Sequence, residues 1–279
     1  MLRHMLHTGI LSILFAMVAV LLCVGCMAKK TEKEDVRDSI ASINIDRFDV
    51  LQHSYVMNCD YSALQQMSLT YPTETRTLIE DVLQIGKATD MSINADLLQF
   101  YQDTTLAQLA HDAEVAYEDM SDVEHNLRTA FTTLHQMLPQ LPLPSFYAQI
   151  GALQQSIIVN DTRIGISLEK YLGTDYPLYM RYYSPSQRAM MTRQHIVADC
   201  LSFYLLSRYG LNAFDMRQQW ERDVYIAKIQ WVANRCMEKP VFDSAYLKRV
   251  DKYMRRHRHT KIEQLLKDDN LQEIQEMRT

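Results

Sequence analysis

The sequence predicts a mostly helical α+β fold in which a small three-stranded sheet is flanked by helices. Only 7 of the 279 residues are glycine, whereas Leu, Met, Gln and Ala, which suit helices, are abundant. Segments with strand character occur only within residues 145–167, directly after Pro139, Pro142 and Pro144. Because strands and helices do not alternate along the chain, a doubly wound parallel sheet is not expected.

Apolar residues at helical spacing predict four helices before these prolines. We expect them over residues 60–70, 72–85, 103–117 and 121–138. Pro72 suits the first position of the second helix, where its missing N–H costs no hydrogen bond. In the fourth helix, Ser121 and Glu124 have the spacing of a capping box.

After the prolines, three strands and then further helices are expected. The strands are predicted over residues 145–150, 154–159 and 163–167. Asn160 and Asp161 form the turn between the last two strands. Helix resumes at Leu168, and longer or shorter helices follow over residues 192–209, 213–238, 243–256 and 261–268. Thr192 is the expected N-cap of the first of these, and Gly210 is its expected stop.

The N-terminus has the features of an export signal with a lipid attachment site. Arg3 precedes an apolar run of 16 residues from Gly9 to Val24, and Gly25 stands before Cys26. A cysteine at the first mature position is how bacteria mark a chain for N-terminal lipidation, so Cys26 is the predicted lipidation site. The position three residues before it is usually leucine and is Cys23 here. The alternative is an uncleaved anchor helix, for which 16 residues is at the short limit.

These features predict the domain organisation and the location. Residues 1–25 are a signal peptide, residues 26–44 a charged flexible tether, and residues 45–279 a single domain. Since no later apolar run approaches the length of a membrane span, the lipid is the expected membrane anchor. The expected location is the cell envelope, on the periplasmic side of the outer membrane. Removing Arg3 with the signal takes the formal charge from −5 to −6, which argues against a nucleic-acid partner.

A distinctive motif follows the last predicted strand. Residues 168–175 read LEKYLGTD and lead into a stretch that contains Tyr176, Tyr179, Tyr182 and Tyr183. This segment resembles the GldB-type gliding-motility lipoproteins of the Bacteroidetes, in which a strand leads into a Leu-Asp/Glu-x-Tyr-Leu-Gly-x-Asp turn and a tyrosine-rich helix. Residues 45–49 and 193–209 also fit that family, whereas the chain after Phe214 matches it less distinctly. The resemblance implies an envelope function in gliding motility or one descended from it.

Members of this family are distantly similar to zinc-dependent peptidases of the zincin type. Those enzymes carry His-Glu-x-x-His on a helix, with two zinc ligands one turn apart and a glutamate as general base. The corresponding helix here offers His195 and Asp199 on one face, and Ile196 stands in the place of the base. The resemblance therefore implies a zincin-like fold without an intact active site, no catalysis and no cofactor. The enzymatic alternative is a divergent metal-dependent peptidase that uses His195 and Asp199.

The tyrosine-rich stretch is the expected binding region. A tyrosine ring can be buried while its hydroxyl stays hydrated, which suits protein interfaces and glycan stacking. The expected partner is another envelope protein, and the alternative is a periplasmic ligand- or glycan-binding module. Equally, the rings could line the groove between the sheet and the following helix. The candidate cleft or partner surface comprises Tyr171, Gly173, Asp175, Tyr179, Tyr183, His195 and Asp199.

Three weaker patterns occur elsewhere in the chain. His111 and Glu114, spaced i to i+3, would supply half of a metal site, although a solvated helix face is favoured. A basic segment around residues 248–259 would suit anionic lipid headgroups, although a solvated helix end is favoured. Cys59, Cys200 and Cys236 allow at most one disulfide, and the apolar neighbours of Cys200 predict a small buried residue.

Overall fold

A computed structural model describes residues 43–277. The predicted signal peptide, the lipidation at Cys26 and residues 27–42 of the predicted tether lie outside this range. Ile43 is buried, and its carbonyl accepts a 2.7 Å hydrogen bond from Nη1 of Arg128. The folded body therefore includes Ile43.

The sheet contains four strands and not the three predicted. They are β1 (Ile45–Asp46), β2 (Ser145–Gln149), β3 (Ile157–Asn160) and β4 (Arg163–Ser167), in the spatial order β1-β2-β4-β3. β2 is parallel to both β1 and β4, whereas β3 is antiparallel to β4. The missed strand, β1, has only two residues, too few to show the alternation that identifies a strand in a sequence. It forms through pairing with the distant β2.

The rest of residues 43–277 is largely helical, as predicted. The helices are α1 (Phe48–Asn58), α2 (Tyr61–Thr70), α3 (Pro72–Arg76), α4 (Ile93–Phe100), α5 (Thr104–Ala116), α6 (Ser121–Met137), α7 (Pro177–Tyr182), α8 (Pro185–Met190), α9 (Ile196–Arg208), α10 (Gln219–Cys236), α11 (Ala245–Arg256), α12 (Ile262–Lys267) and α13 (Gln272–Glu276). Shorter 3₁₀ or π turns lie at Thr77–Val82, Leu168–Lys170, Arg193–His195 and Phe214–Met216. No helix in this part of the chain combines the length and apolar composition that crossing a bilayer requires.

The sheet forms the centre of the core. Helix α1 contacts β2, while α9 contacts β3 and β4. Residues of β2 and β4 such as Phe146, Ala148, Ile164 and Ile166 are almost completely buried. Such burial on both faces is typical of strands that pair in parallel.

Two predicted helix caps are wrong. Helix α6 begins at Ser121 itself, so that side chain makes no cap bond, and Oε1 of Glu124 accepts a 2.9 Å hydrogen bond from the N–H of Ile45 instead. The Glu124 carboxylate, which a capping box would pair with the start of the helix, therefore binds the N–H of an edge strand. Likewise, Thr192 does not cap α9, because a 3₁₀ turn intervenes and its hydroxyl lies 2.8 Å from Nδ1 of His195.

Helix α1 was not predicted because its buried face is partly polar. Asp49, Gln52 and His53 are all buried on it. The amide of Gln52 donates to the Tyr101 hydroxyl and to the carbonyl of Ile150, and its oxygen accepts from the N–H of Ile150 at 2.9 Å. The helix is thereby attached to the end of β2 by a buried polar network, which interrupts the apolar face formed by Phe48, Tyr55 and Val56.

The three cysteines within the described residues are free. Cys59 is exposed, whereas Cys200 and Cys236 are buried. The prediction that Cys200 is a small buried residue is confirmed.

Candidate partner surface

Residues 171–192 form a loop between the sheet and helix α9 that contains most of the predicted site; we call it the tyrosine loop. Its two ends are joined, since Leu172 and Thr192 form a β-bridge and the N–H of Gly173 donates to the carbonyl of Met191 at 3.0 Å. Gly173 has φ +108°, a conformation that side chains disfavour, so glycine is required here for its backbone. Helices α7 and α8 lie within this loop, whose two ends are held together by these backbone contacts.

Tyr179 fixes the loop from inside. Its side chain is fully buried, its hydroxyl donates to the carbonyl of Glu169, and it accepts a 3.1 Å hydrogen bond from the N–H of Leu172. Burial raises the pKa of the Tyr179 hydroxyl well above its usual value, so the hydroxyl remains a donor at neutral pH. This ring supports the loop and is not available to a partner.

A second tyrosine joins the motif to helix α9. The hydroxyl of Tyr171 donates to Oδ2 of Asp199 at 2.8 Å, and the carbonyl of Tyr171 accepts from the hydroxyl of Tyr117 at 2.6 Å. Burial raises the pKa of Asp199 to about 7. Asp199 thus acts as a hydrogen-bond acceptor that orients the motif.

Glu169 was quoted in the motif but was not among the predicted site residues. It is fully buried, and its two carboxylate oxygens accept from the N–H groups of Gly151 at 2.9 Å and Leu153 at 3.2 Å. Burial raises the pKa of Glu169 to about 7, although these hydrogen bonds act in the opposite direction. A Cβ at Gly151 would lie 2.9 Å from Oε1 of Glu169, which explains the glycine. The only available sequence signal was an acidic residue inside the apolar segment after β4.

His195 has contacts different from those of Asp199. It is buried, its Nδ1 is paired with the Thr192 hydroxyl, and burial lowers the pKa of its imidazole. Among residues 43–277, no cluster of three potential metal ligands includes His195 or Asp199. The fully buried Ile196 offers no proton-accepting group between them.

The remaining tyrosines are mostly engaged by the protein itself. The Tyr176 hydroxyl donates to Oδ2 of Asp112 at 2.8 Å. The Tyr183 ring lies under the ammonium group of Lys170, which is 4.9 Å from the ring centroid and 3.3 Å from the hydroxyl. Asp175 is exposed. The interpretation in which the rings fill the space between sheet and helix therefore fits Tyr171 and Tyr179.

Three large apolar side chains of the tyrosine loop are exposed. Met180, Tyr182 and Met190 are 55%, 73% and 45% exposed on the two short helices. Met180 and Met190 were not predicted from the sequence, because exposure of a methionine depends on the packing of the whole loop. Large exposed apolar side chains on a fixed loop suit protein contact, and exposed polar residues such as Arg181 and Gln187 lie between them in the sequence. We call these three residues the apolar loop face.

The basic segment predicted as a lipid-headgroup candidate is largely paired. His257 lies 2.8 Å from Glu273, Arg255 lies 2.8 Å from Asp251, and Lys248 lies 3.0 Å from Asp243. These pairs favour the solvated helix end over an anionic membrane surface.

Comparison with known proteins identifies a family. The model of a family described as gliding motility protein GldB matches residues 29–241. No curated protein and no solved structure is significantly similar to the chain. The matched range contains the sheet, the tyrosine loop and helix α9.

Proposed function

The chain belongs to the family of gliding motility protein GldB, and from this membership we propose that it is a lipoprotein of the cell envelope that binds a protein partner and performs no catalysis. The observation that carries the proposal is the family match over residues 29–241, which begins three residues after the cysteine of the lipidation motif. The proposed anchor is lipid on Cys26, and the proposed site is the periplasmic side of the outer membrane in a member of the Bacteroidetes.

The geometry near helix α9 supports a non-catalytic role. In a zincin the corresponding helix would supply two metal ligands and a base. Here Asp199 accepts the Tyr171 hydroxyl, His195 pairs with Thr192, and Ile196 is apolar. We propose that the fold is zincin-like with these positions converted to structural contacts. The rival peptidase would lack a general base beside His195, because position 196 is an isoleucine.

The apolar loop face is the proposed partner surface. The joined loop ends and the buried Tyr179 hold α7 and α8 before any partner arrives, so binding orders little additional chain. Methionine and tyrosine are enriched in the cores of protein interfaces. A glycan-binding module has less support, because Tyr182 is the one tyrosine of the loop with a mostly exposed ring.

The anchor is tested by labelling cells that express the full chain with radioactive palmitate. We expect label on the wild type and none on Cys26→Ala, together with accumulation of the precursor when lipoprotein signal peptidase is inhibited by globomycin. Cys59→Ser is the matched control and should retain the label, since Cys59 lies within the folded domain. An unlabelled wild-type chain would refute the envelope assignment.

The partner surface is tested by photo-crosslinking in intact cells. A photoreactive amino acid at position 180, 182 or 190 should give one common adduct with an envelope protein. The control position is Met216, which is 87% exposed in a 3₁₀ turn outside the tyrosine loop. Adducts of equal yield from position 216, or none from the loop, would contradict the proposal.

A further inference from the structure

Helices α1 and α5 bring three potential metal ligands together. Nε2 of His53 lies 3.2 Å from Oε2 of Glu114, and Nδ1 of His111 lies 3.9 Å from the same oxygen. The ligand atoms of all three residues lie within 4.8 Å of one another. We call these residues the His–His–Glu cluster.

The spacing of these atoms is close to that of a tetrahedral metal centre. Bonds of about 2.0–2.1 Å from zinc to nitrogen or oxygen place neighbouring ligands roughly 3.3 Å apart. The separation between Nε2 of His53 and Oε2 of Glu114, 3.2 Å, is already close to this value, and the exposed His111 needs only a small side-chain movement. Its imidazole is 56% exposed, so that movement is not opposed by core packing.

Nε2 of His53 provides an independent observation. This buried nitrogen has no hydrogen-bond partner, because its contact with Glu114 lacks hydrogen-bond geometry. An unpartnered polar atom in a buried position costs about 1–3 kcal/mol unless something satisfies it. A metal ion coordinated between His53 and Glu114 would bind the lone pair of this nitrogen.

Burial favours the neutral, ligating state of His53. Burial lowers the pKa of its imidazole and outweighs the opposing effect of the Glu114 carboxylate. Asp49, on the same helix, is bound by Arg47 at 2.8 Å, which leaves Glu114 as the carboxylate adjacent to the imidazole. His111 faces the same carboxylate from α5.

We propose that His53, His111 and Glu114 bind one divalent metal ion of the zinc class, with water at a fourth, open position. Two imidazoles and one carboxylate are a donor set that suits zinc and other late first-row metals. The ion would join α1 to α5. The site adjoins the tyrosine loop, since Asp112 of α5 receives the Tyr176 hydroxyl. It is separate from His195 and Asp199, so it is independent of the proposed function.

The test is zinc binding by the full chain in detergent micelles after removal of metal with a chelator. Competition with a chromophoric zinc chelator should give one ion per chain, and both His111→Ala and Glu114→Ala should lose that binding. Because His111 and Glu114 are partly exposed, these variants should retain the wild-type circular dichroism spectrum. His53→Ala should also lose the ion, but the exposed His111 alone decides the question if that variant fails to fold.

Two matched controls distinguish this site from adventitious binding. His257→Ala removes a histidine that contacts one glutamate, at 2.8 Å, and should keep the zinc stoichiometry of the wild type. Cys59→Ser removes the exposed thiol and should also keep it. Cobalt(II) should give the visible absorption of a tetrahedral site without a thiolate charge-transfer band. Zinc binding that is unchanged in His111→Ala, or lost in Cys59→Ser, would overturn the proposal.

Discussion

The hydroxyl of Tyr171 lies 2.8 Å from Oδ2 of Asp199, and this hydrogen bond joins the LEKYLGTD motif to the first turn of helix α9. Both side chains come from the region that the resemblance marked as functional. Their contact instead makes them structural supports for the tyrosine loop, on which Met180, Tyr182 and Met190 are exposed.

Loss of that hydrogen bond should destabilise the domain. In Tyr171→Phe, the acceptor Asp199 remains without its donor in a poorly hydrated position, which should lower the free energy of unfolding by about 1–3 kcal/mol. Urea denaturation measures the change. Tyr182→Phe is the matched control, because its ring is 73% exposed, and it should stay within about 0.5 kcal/mol of the wild type. Equal effects of the two substitutions would show that the Asp199 contact contributes nothing.

Buried Glu169 should make stability depend on pH between about 5 and 7. Its pKa is about 7 in the folded protein against an ordinary value of 4.5, so the folded state binds the proton more tightly. Its contribution is therefore complete below pH 4.5 and is lost as the pH rises towards 7, with an upper size of about 3 kcal/mol. Asp199, with a pKa of about 7, acts in the same sense.

Comparison of variants isolates this effect. The buried His53 and His195 have lowered pKa values and act in the opposite sense below pH 6.5, so the wild-type curve is a composite. We expect the loss of stability from pH 5 to pH 8 to be smaller in Glu169→Gln than in the wild type. Denaturation at each pH provides the measurement. An identical pH dependence in both proteins would mean that Glu169 titrates normally.

Much of the helical architecture follows from the sequence, because helices such as α5 and α6 place apolar residues on one face at helical spacing. Helix α1 was not recognised in this way, because Gln52 and Asp49, which are buried through specific polar partners, interrupt its apolar face. Strand β1 cannot be recognised either, because two residues carry no period. Each of these elements depends on a partner that is distant in the chain.

In the candidate site, too, features set by neighbouring residues could be predicted from the sequence, whereas contacts between distant residues could not. The sequence predicted that helix resumes at Leu168, whereas residues 171–192 form a loop that contains two short helices. Gly173 has the positive φ that a glycine in a turn indicates. The sequence could not show that Tyr179 is buried while Met180 is exposed, because which of two adjacent helical residues is buried depends on how the whole loop packs. Nor could it bring His53 to His111, which lies on a different helix.

Gly165 should tolerate no side chain. It pairs with Tyr147 across β2 and β4, and a Cβ at Gly165 would lie 2.4 Å from Cζ of that buried ring. Because the ring is packed in the core, Gly165→Ala should lower the free energy of unfolding by about 1–3 kcal/mol. Gly210→Ala is the control, since its Cβ would meet no atom within 4 Å. Thermal unfolding of both variants checks the prediction, which a wild-type melting temperature in Gly165→Ala would contradict.

Removal of the Tyr179 hydroxyl should loosen the tyrosine loop without unfolding the domain. In Tyr179→Phe the N–H of Leu172 and the carbonyl of Glu169 lose their shared partner at the base of the loop, so local opening becomes more frequent. Trypsin should then cleave faster after the exposed Arg181, while α9 and the sheet remain protected. Tyr182→Phe, which alters a neighbouring exposed ring, should be cleaved at the wild-type rate. Cleavage of Tyr179→Phe at that same rate would show that the bridge between Leu172 and Thr192 holds the loop by itself.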